Sequence, residues 1–353
     1  MHDDLLTPQT PSMERVAIRP VRDRQHANPL LPLLRKIARG GLALADTFCA
    51  RVTPERPGLV ILALHSLCAT RSQVDDTTLA HGLNVSVEDF DALVQAVLES
   101  GYTAVSPRQV AEGLDPSGKY AMLTFDDGYF NNVLALDVLE RHGVPATFFV
   151  SSNHVLEQKA FWWDSLNREL VKTGISNHAR ILEIRKVKKL GAQGIDAYMH
   201  RNFGANAFRP HSDSDRPFTR GELMSFARHK WVHLGNHTSD HAILTGCTPQ
   251  EMARQIQDCQ HVLTELAGYA PVAIAYPNGN HSPAVVDAAL AAGLRVGLTV
   301  QPRKNHLPLH GPAGLMTLGR FYYYGGNARA EFAKYRSGIM PSQIVKRLVT
   351  ASA

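Results

Sequence analysis

The sequence predicts an α/β protein whose parallel strands close, or nearly close, into a (β/α) barrel of seven or eight strands. Three observations carry that expectation. From residue 58 onward, short apolar runs alternate with helical patterns, as parallel strands joined by helical crossovers require. The run GLVILALHS is apolar almost throughout, which suits a strand buried on both faces. Finally, residues able to bind metals or move protons recur where the strand-like runs end, the rim at which such barrels hold their chemistry. A doubly wound open sheet is the competing architecture.

The strands are expected at GLVILALHS, YTAVS, YAMLTF, PATFFVS, WVHLGN, VAIAYP, RVGLTV and LMTLGRF. After the first, VSVEDFDALVQAVLESG sets Val87, Phe90, Leu93, Val94, Val97 and Leu98 at helical spacing, with Gly101 as a stop. SPRQVAEGL is a short helix opened by Pro107, whose missing amide proton is not needed in a first turn. NNVLALDVLERHG follows the third strand and TRGELMSFARHK precedes the fifth, both helical. TPQEMARQIQDCQHVLTELAG lines up Met252, Ile256, Cys259, Leu263 and Leu266 on one stripe, and SPAVVDAALAAG is a further helix. The rhythm breaks between about 155 and 218. There FWWDSLNRELVKT and NHARILEIRKVKKLGAQGIDAYMHRNFG read as charged helices inserted between barrel units. The expected division is an N-terminal extension over 1–56, a barrel over 57–330 and a helical tail over 331–353.

With 353 residues, 44% apolar and 20% charged, the chain can bury a large core. Its formal charge of +5 is modest, and the basic run RKVKK (185–189) lacks interleaved aromatics. That run reads as a solvated helix face, which argues against nucleic acid as a partner. Cys49, Cys68, Cys247 and Cys259 form no CxxC pair and are expected as free thiols in a reducing compartment. The first 28 residues are polar and proline-bearing, a disordered lead rather than a secretory signal. PLLPLLRKIARGGLALADTF is broken by Arg35, Lys36 and Arg39, too charged to span a bilayer. It reads as a helix packed on the domain, or as an amphipathic one lying on a membrane surface. A cytoplasmic protein, in peripheral contact with the inner face of a membrane, is the expectation.

The chemistry gathers at strand ends. AMLTFDDGYFNN is a strand stopped by Asp126 and Asp127, with Gly128 allowing a sharp turn. Asn131 and Asn132 are expected to cap the following helix. GNHTSDH places His237 and His241 four residues apart. If a helix starts after Asn236, both imidazoles share one face and can share a metal. A carboxylate and two histidines make a three-ligand set with open positions, as a catalytic zinc site requires; one aspartate suffices, leaving its neighbour free as a general base. His65 ends the first strand, Tyr276 to Gly279 follow the sixth, and Arg320 lies in the last.

TFDDG and HTSDH at this separation resemble the first two motifs of the polysaccharide deacetylases, carbohydrate esterase family 4, the NodB homology domain. The resemblance runs from about 59 to 325 and takes in GVPATFFV, FWWD, AYPNG and LGRF. It implies a distorted (β/α) barrel and hydrolysis of N-acetyl groups from an amino sugar. It also implies a divalent metal, zinc by preference, held by Asp127, His237 and His241, with Asp126 as general base. Asn278 occupies the place whose amide helps the oxyanion, with Tyr276 beside it, and Trp163 matches an aromatic that could stack on a sugar. Two departures stand out. Many relatives carry an arginine before the third motif, where this chain has Ala275, so another group is expected to tune Asp126, with Arg320 as one candidate. The late leucine-x-histidine motif is indistinct: His306 and His310 lie in a loop, and His65 is preferred as the acid.

Other functions fit less well. A glycosidase needs carboxylates facing each other across a bond, and successive residues at a strand end diverge. An iron oxygenase has no use for the second aspartate. A silent glycan-binding relative, or a deformylase of a lipid-linked sugar, keeps the same site. The expected partner is an N-acetylated glycan or sugar precursor.

Overall fold

A computed structural model describes residues 41–42, 44–74, 84–309, 311–338, 340 and 342. The first 28 residues and His310, on which two of the expectations above fall, lie outside the described residues. The strands are β1 (Gly58–Leu64), β2 (Ser66–Cys68), β3 (Asn84–Ser86), β4 (Thr103–Ala104), β5 (Lys119–Phe125), β6 (Ala146–Val150), β7 (Val232–Asn236), β8 (Ala273–Ala275), β9 (Val296–Leu298) and β10 (Phe321–Tyr322). Eight of them form one parallel sheet, seven in the order β10-β1-β5-β6-β7-β8-β9 and β4 off that path. There β4 pairs with β5 at Tyr120 and Ala121, and β6 takes the same strand from Leu123 to Phe125. The small pair β2-β3 stands apart from it.

The sheet curls until its ends meet through the segment before β10. Leu318 bridges to Leu298, and Thr299 donates both its amide and its hydroxyl to the Leu318 carbonyl. Three residues later Phe321 pairs with Leu62 of β1. Most of LMTLGRF is therefore not a strand, contrary to expectation. It is a connector that crosses the seam, and only its last residue, Phe321, belongs to a strand, β10, which continues into Tyr322.

Strand alternation sorts the core into layers. Leu59, Ile61, Met122, Phe149, Ala273, Ala275, Val296, Leu298 and Leu318 fill the barrel interior. The alternate residues Val60, Leu62, Leu64, Leu123, Phe125 and Phe148 face the helical layer. Against them pack Phe90, Leu93, Val94 and Val97 of the helix Val87–Glu99, which starts where Ser86 Oγ accepts the Asp89 amide. The helix Ala328–Ser337 buries Phe332 and Tyr335 in this same layer, so it completes the barrel. Met252, Ile256, Cys259, Leu263 and Leu266 are buried along the helix Pro249–Ala267, as their stripe predicts.

Between β6 and the helix Arg220–Ala227 the chain builds its insertion from the helices Trp162–Lys172, Asn177–Lys188 and Gly191–Phe203. These enclose a small core of Leu166, Leu170, Val187, Ile195, Met199 and Phe208. The buried Arg168–Asp215 ion pair ties the first helix to the end of the insertion. The Phe130 amide then binds the Arg216 carbonyl, fixing that end against the turn after β5. Ahead of β1, residues 44–52 are helical, and Asp46 is buried against Ser342. Among the described residues, no helix is long and apolar enough to cross a membrane.

Candidate active site at the barrel mouth

Asp126 continues β5. Its amide binds the Leu64 carbonyl, and its side chain follows Met122 and Thr124 into the barrel. Arg320 meets it there. Arg320 Nη1 and Nη2 bind the two Asp126 oxygens at 2.7 and 2.8 Å, while Nε donates to the Thr299 carbonyl at 3.0 Å. Burial alone would raise the Asp126 pKa, yet the Arg320 charge, with His237 and His65 nearby, holds it below the usual carboxylate value. Arg320 is itself fully buried, and it reaches Asp126 from the seam of the barrel.

Asp127 departs from the strand with φ +78°, which rotates its carboxylate away from its neighbour's partner. Gly128 follows at φ +82°, and a Cβ there would lie 3.0 Å from Val150 Cγ1, so the tight turn against β6 excludes other residues. Asp127 Oδ1 lies 3.4 Å from His237 Nε2 and 3.5 Å from His241 Nε2. Asp127, His237 and His241 form a candidate metal cluster, with ligand atoms all within 4.8 Å of one another.

The two histidines are not brought together by a helix, contrary to expectation. No helix follows Asn236; the chain instead takes left-handed conformations at Thr238 (φ +64°) and His241 (φ +53°). Asn236 Oδ1 accepts the Thr238 amide and Thr238 Oγ1 accepts the Ala242 amide, so short polar side chains replace the helical hydrogen bonds. His237 Nδ1 donates to the Ala275 carbonyl at 2.8 Å, which leaves its Nε2 lone pair facing Asp127. Burial would lower the His237 pKa, but Asp127 and Asp126 raise it. His241 is pushed down to about 3, by burial first and the neighbouring His237 second, and stays neutral. Asp127 is lowered far below the carboxylate range: burial opposes this, and the neighbouring imidazoles of His237, His65 and His241 outweigh it.

These distances suit a cation. Zinc bonds of about 2.0–2.1 Å in tetrahedral geometry put ligand atoms about 3.3–3.5 Å apart. The observed 3.4 and 3.5 Å match that spacing and exceed the length of a charge-assisted hydrogen bond.

The remaining residues divide. His65 directly follows β1, stacks on Tyr322 at 5.5 Å, and lies close to both aspartates. His306 follows Asn305, which bridges to Leu59 at the start of β1, so it lies toward the opposite end of the barrel. Asn278 sits in the turn after β8 in a left-handed conformation (φ +56°), its Oδ1 accepting from Lys188 at 2.6 Å. Tyr276 is a correction. Alternation sends Ala275 inward and Tyr276 outward among Ile274, Val285 and Ala289, with its hydroxyl on the Met316 carbonyl. It is wall, with no group free for substrate. Trp163 stacks on Phe161 at 4.6 Å and meets His241 edge-on at 4.9 Å, and its Nε1 donates to Tyr129 Oη. Asn131 and Asn132 cap no helix: Asn131 Nδ2 binds Ser66 Oγ and Asn132 Nδ2 binds the His65 carbonyl, anchoring the loop after β1.

Sequence reasoning missed two contributors. Tyr129 donates to the buried Asp164 at 2.6 Å and supports Trp163 from behind. His154 stacks on Phe161 at 4.0 Å, kept neutral by burial at a pKa of about 4. Tyr129 closes the FDDGY turn without being assigned a role, and His154 carries no motif signal.

Comparison with known proteins agrees with this architecture. The sequence profile of the family described as polysaccharide deacetylase matches residues 113–297, just over half of the chain. That span holds Asp126, Asp127, His237, His241 and Asn278, but neither His65 nor Arg320. YxkH of Bacillus subtilis, named as a candidate polysaccharide deacetylase, is 22% identical over 263 residues, 73% of this chain and 70% of that protein. Two solved structures share the fold at 16% identity. The Streptococcus pyogenes deacetylase PplD in complex with acetate has a TM-score of 0.51 over 84% of this chain and 98% of its own. IcaB from Ammonifex degensii has 0.54 over 80% and 98%. The chain belongs to the polysaccharide deacetylase family, hydrolases that act on the amide bonds of N-acetylated sugars.

Proposed function

We propose that this protein is a metal-dependent deacetylase that removes N-acetyl groups from amino sugars of a glycan or glycan precursor. The observation that carries the reading is the separation of roles between adjacent carboxylates: Asp127 faces His237 and His241, while Asp126 is held apart by Arg320. A divalent cation, zinc by its donor set, would be held by Asp127, His237 and His241, supplying Lewis-acid polarisation of the acyl group and of water. Asp126 takes the proton of the attacking water, Arg320 keeping its carboxylate aimed and ionised. The role assigned to the Asn278 amide is to donate to the developing oxyanion, and that of His65 is to deliver a proton to the departing amine. Trp163 offers its partly exposed edge to the sugar.

Formyl instead of acetyl would fit the same groups, as in a lipid-linked sugar, and the product distinguishes them. Leu44, Phe48 and Val52, spaced four apart and 73, 64 and 57% exposed, support contact of the N-terminal extension with a membrane surface. The test is to incubate purified protein with N-acetylated and N-formylated amino sugars and measure acetate or formate, with and without chelator. Release that stops on chelation and returns with zinc is expected. Release insensitive to metal removal would overturn the reading.

A further inference from the structure

The helix Asn177–Lys188 of the insertion ends over the barrel mouth. Val187 is wholly buried in the insertion's own core, which fixes the direction of the next side chain. Lys188 extends from there to donate to Asn278 Oδ1 at 2.6 Å, 90 residues away in the chain. Packing around its tip lowers its pKa, and Asp127 is near enough for its charge to work the other way.

Among the described residues, Lys188 also lacks the ion pair that other lysines of the insertion have. Nearby lysines of the insertion are paired, Lys172 with Glu169 and Lys186 with Glu183. Lys188 has no carboxylate partner among the described residues, and neither have Arg185 and Lys189 beside it. One of its three N–H donors is spent on a neutral amide, leaving two for an incoming acceptor. Within the mouth, Asp126 is already neutralised by Arg320, and Asp127 faces the candidate cation site. A loaded site is therefore net positive at its rim, and a cleft of one sign concentrates ligands of the other.

We propose that Lys188 determines substrate specificity: its ammonium, delivered by the insertion to the rim beside Asn278, receives an anionic group, phosphate or carboxylate, on the acylated sugar. The proposal rests on the reading of the site as a sugar deacylase. Lysine suits the task as a flexible point charge that accepts either oxyanion.

Calorimetry on the full chain carrying Asp126→Asn tests it, since bound sugar then survives. The probes are N-acetylglucosamine, its 1-phosphate and 6-phosphate, and N-acetylmuramic acid as the carboxylate. At least one anionic sugar is expected to bind about tenfold tighter than the neutral one, the preference shrinking between about 50 and 500 mM salt. Adding Lys188→Met should bring the ratio near one, and Lys188→Arg should restore most of it. A lysine that merely latched Asn278 would weaken all four sugars alike. Equal affinity for neutral and anionic sugars, no binding of any anionic sugar, or a preference unchanged by Lys188→Met would overturn the proposal. If the wild-type protein releases no acyl group yet keeps a Lys188-dependent preference, the hydrolytic reading falls and this one stands.

Discussion

Asp126 and Asp127 are adjacent in sequence yet occupy different electrostatic worlds. One continues the strand and meets a guanidinium; the other turns at φ +78° and meets two imidazoles. Their substitutions should therefore fail differently. Asp126→Asn is expected to retain metal, by elemental analysis, while turnover falls about 10²–10⁴-fold, the usual contribution of a positioned base. His237→Ala should lose the metal as well. Arg320 carries a second prediction. Removing it leaves a buried, ionised Asp126 without a partner, so Arg320→Met should cost about 3–5 kcal/mol in urea unfolding. Adding Asp126→Leu should recover most of that loss, because the uncompensated charge is gone; a double variant as unstable as the single one would refute the pairing argument.

At the scale of elements, Lys304 knots three segments at the end of the barrel opposite the mouth. Its ammonium, 4% exposed, donates to the carbonyls of Arg56 and Arg336 and to Tyr102 Oη. These tie the chain before β1 and the helix Ala328–Ser337 to the sheet. Burial lowers the Lys304 pKa to about 8, with Lys119 and Arg336 adding to the effect and Glu55 opposing it. A lysine whose folded pKa lies below its unfolded value of 10.5 makes the folded state release a proton first. Its penalty is full below about pH 8 and disappears as pH rises toward 10.5. Relative to Lys304→Met, the wild-type protein should therefore gain stability across that window, measured as the difference between denaturation midpoints. A difference that is flat or falls with pH would contradict the shift.

The whole molecule closes at one thin seam. From β9 to β1 the connection passes through the Leu298–Leu318 bridge and two paired residues of β10, whereas β1 and β5 pair along seven positions. Arg320 staples that seam by binding Thr299 on one side and Asp126 on the other. Barrel closure and orientation of the candidate base thus share a residue. Amide exchange should be faster at 318–323 than within β1 or β5, and Arg320→Met should accelerate it there and at 296–300. Unchanged exchange at the seam in that variant would uncouple the two roles.

Much of this was legible in the residues. Strand and helix periodicity placed the barrel elements, and the pairing of TFDDG with HTSDH marked the candidate site, where the structure brings Asp127, His237 and His241 together. The stripe from Met252 to Leu266 came from pattern alone, and the family resemblance suggested Arg320 as one candidate partner for Asp126, which it meets at 2.7 Å. Contacts set by backbone direction were not legible. Two left-handed residues, rather than a helix, bring His237 and His241 together, and alternation turns Tyr276 outward. Asn131 and Asn132 reach sideways to the loop after β1, and a lysine in a run that reads as a solvated face lands beside Asn278. Residue type sufficed to say which chemistry the chain carries and that it gathers at one rim. Only the tertiary structure decided which neighbour each charged group meets, since that depends on a few φ angles and on partners some 90 to 190 residues away.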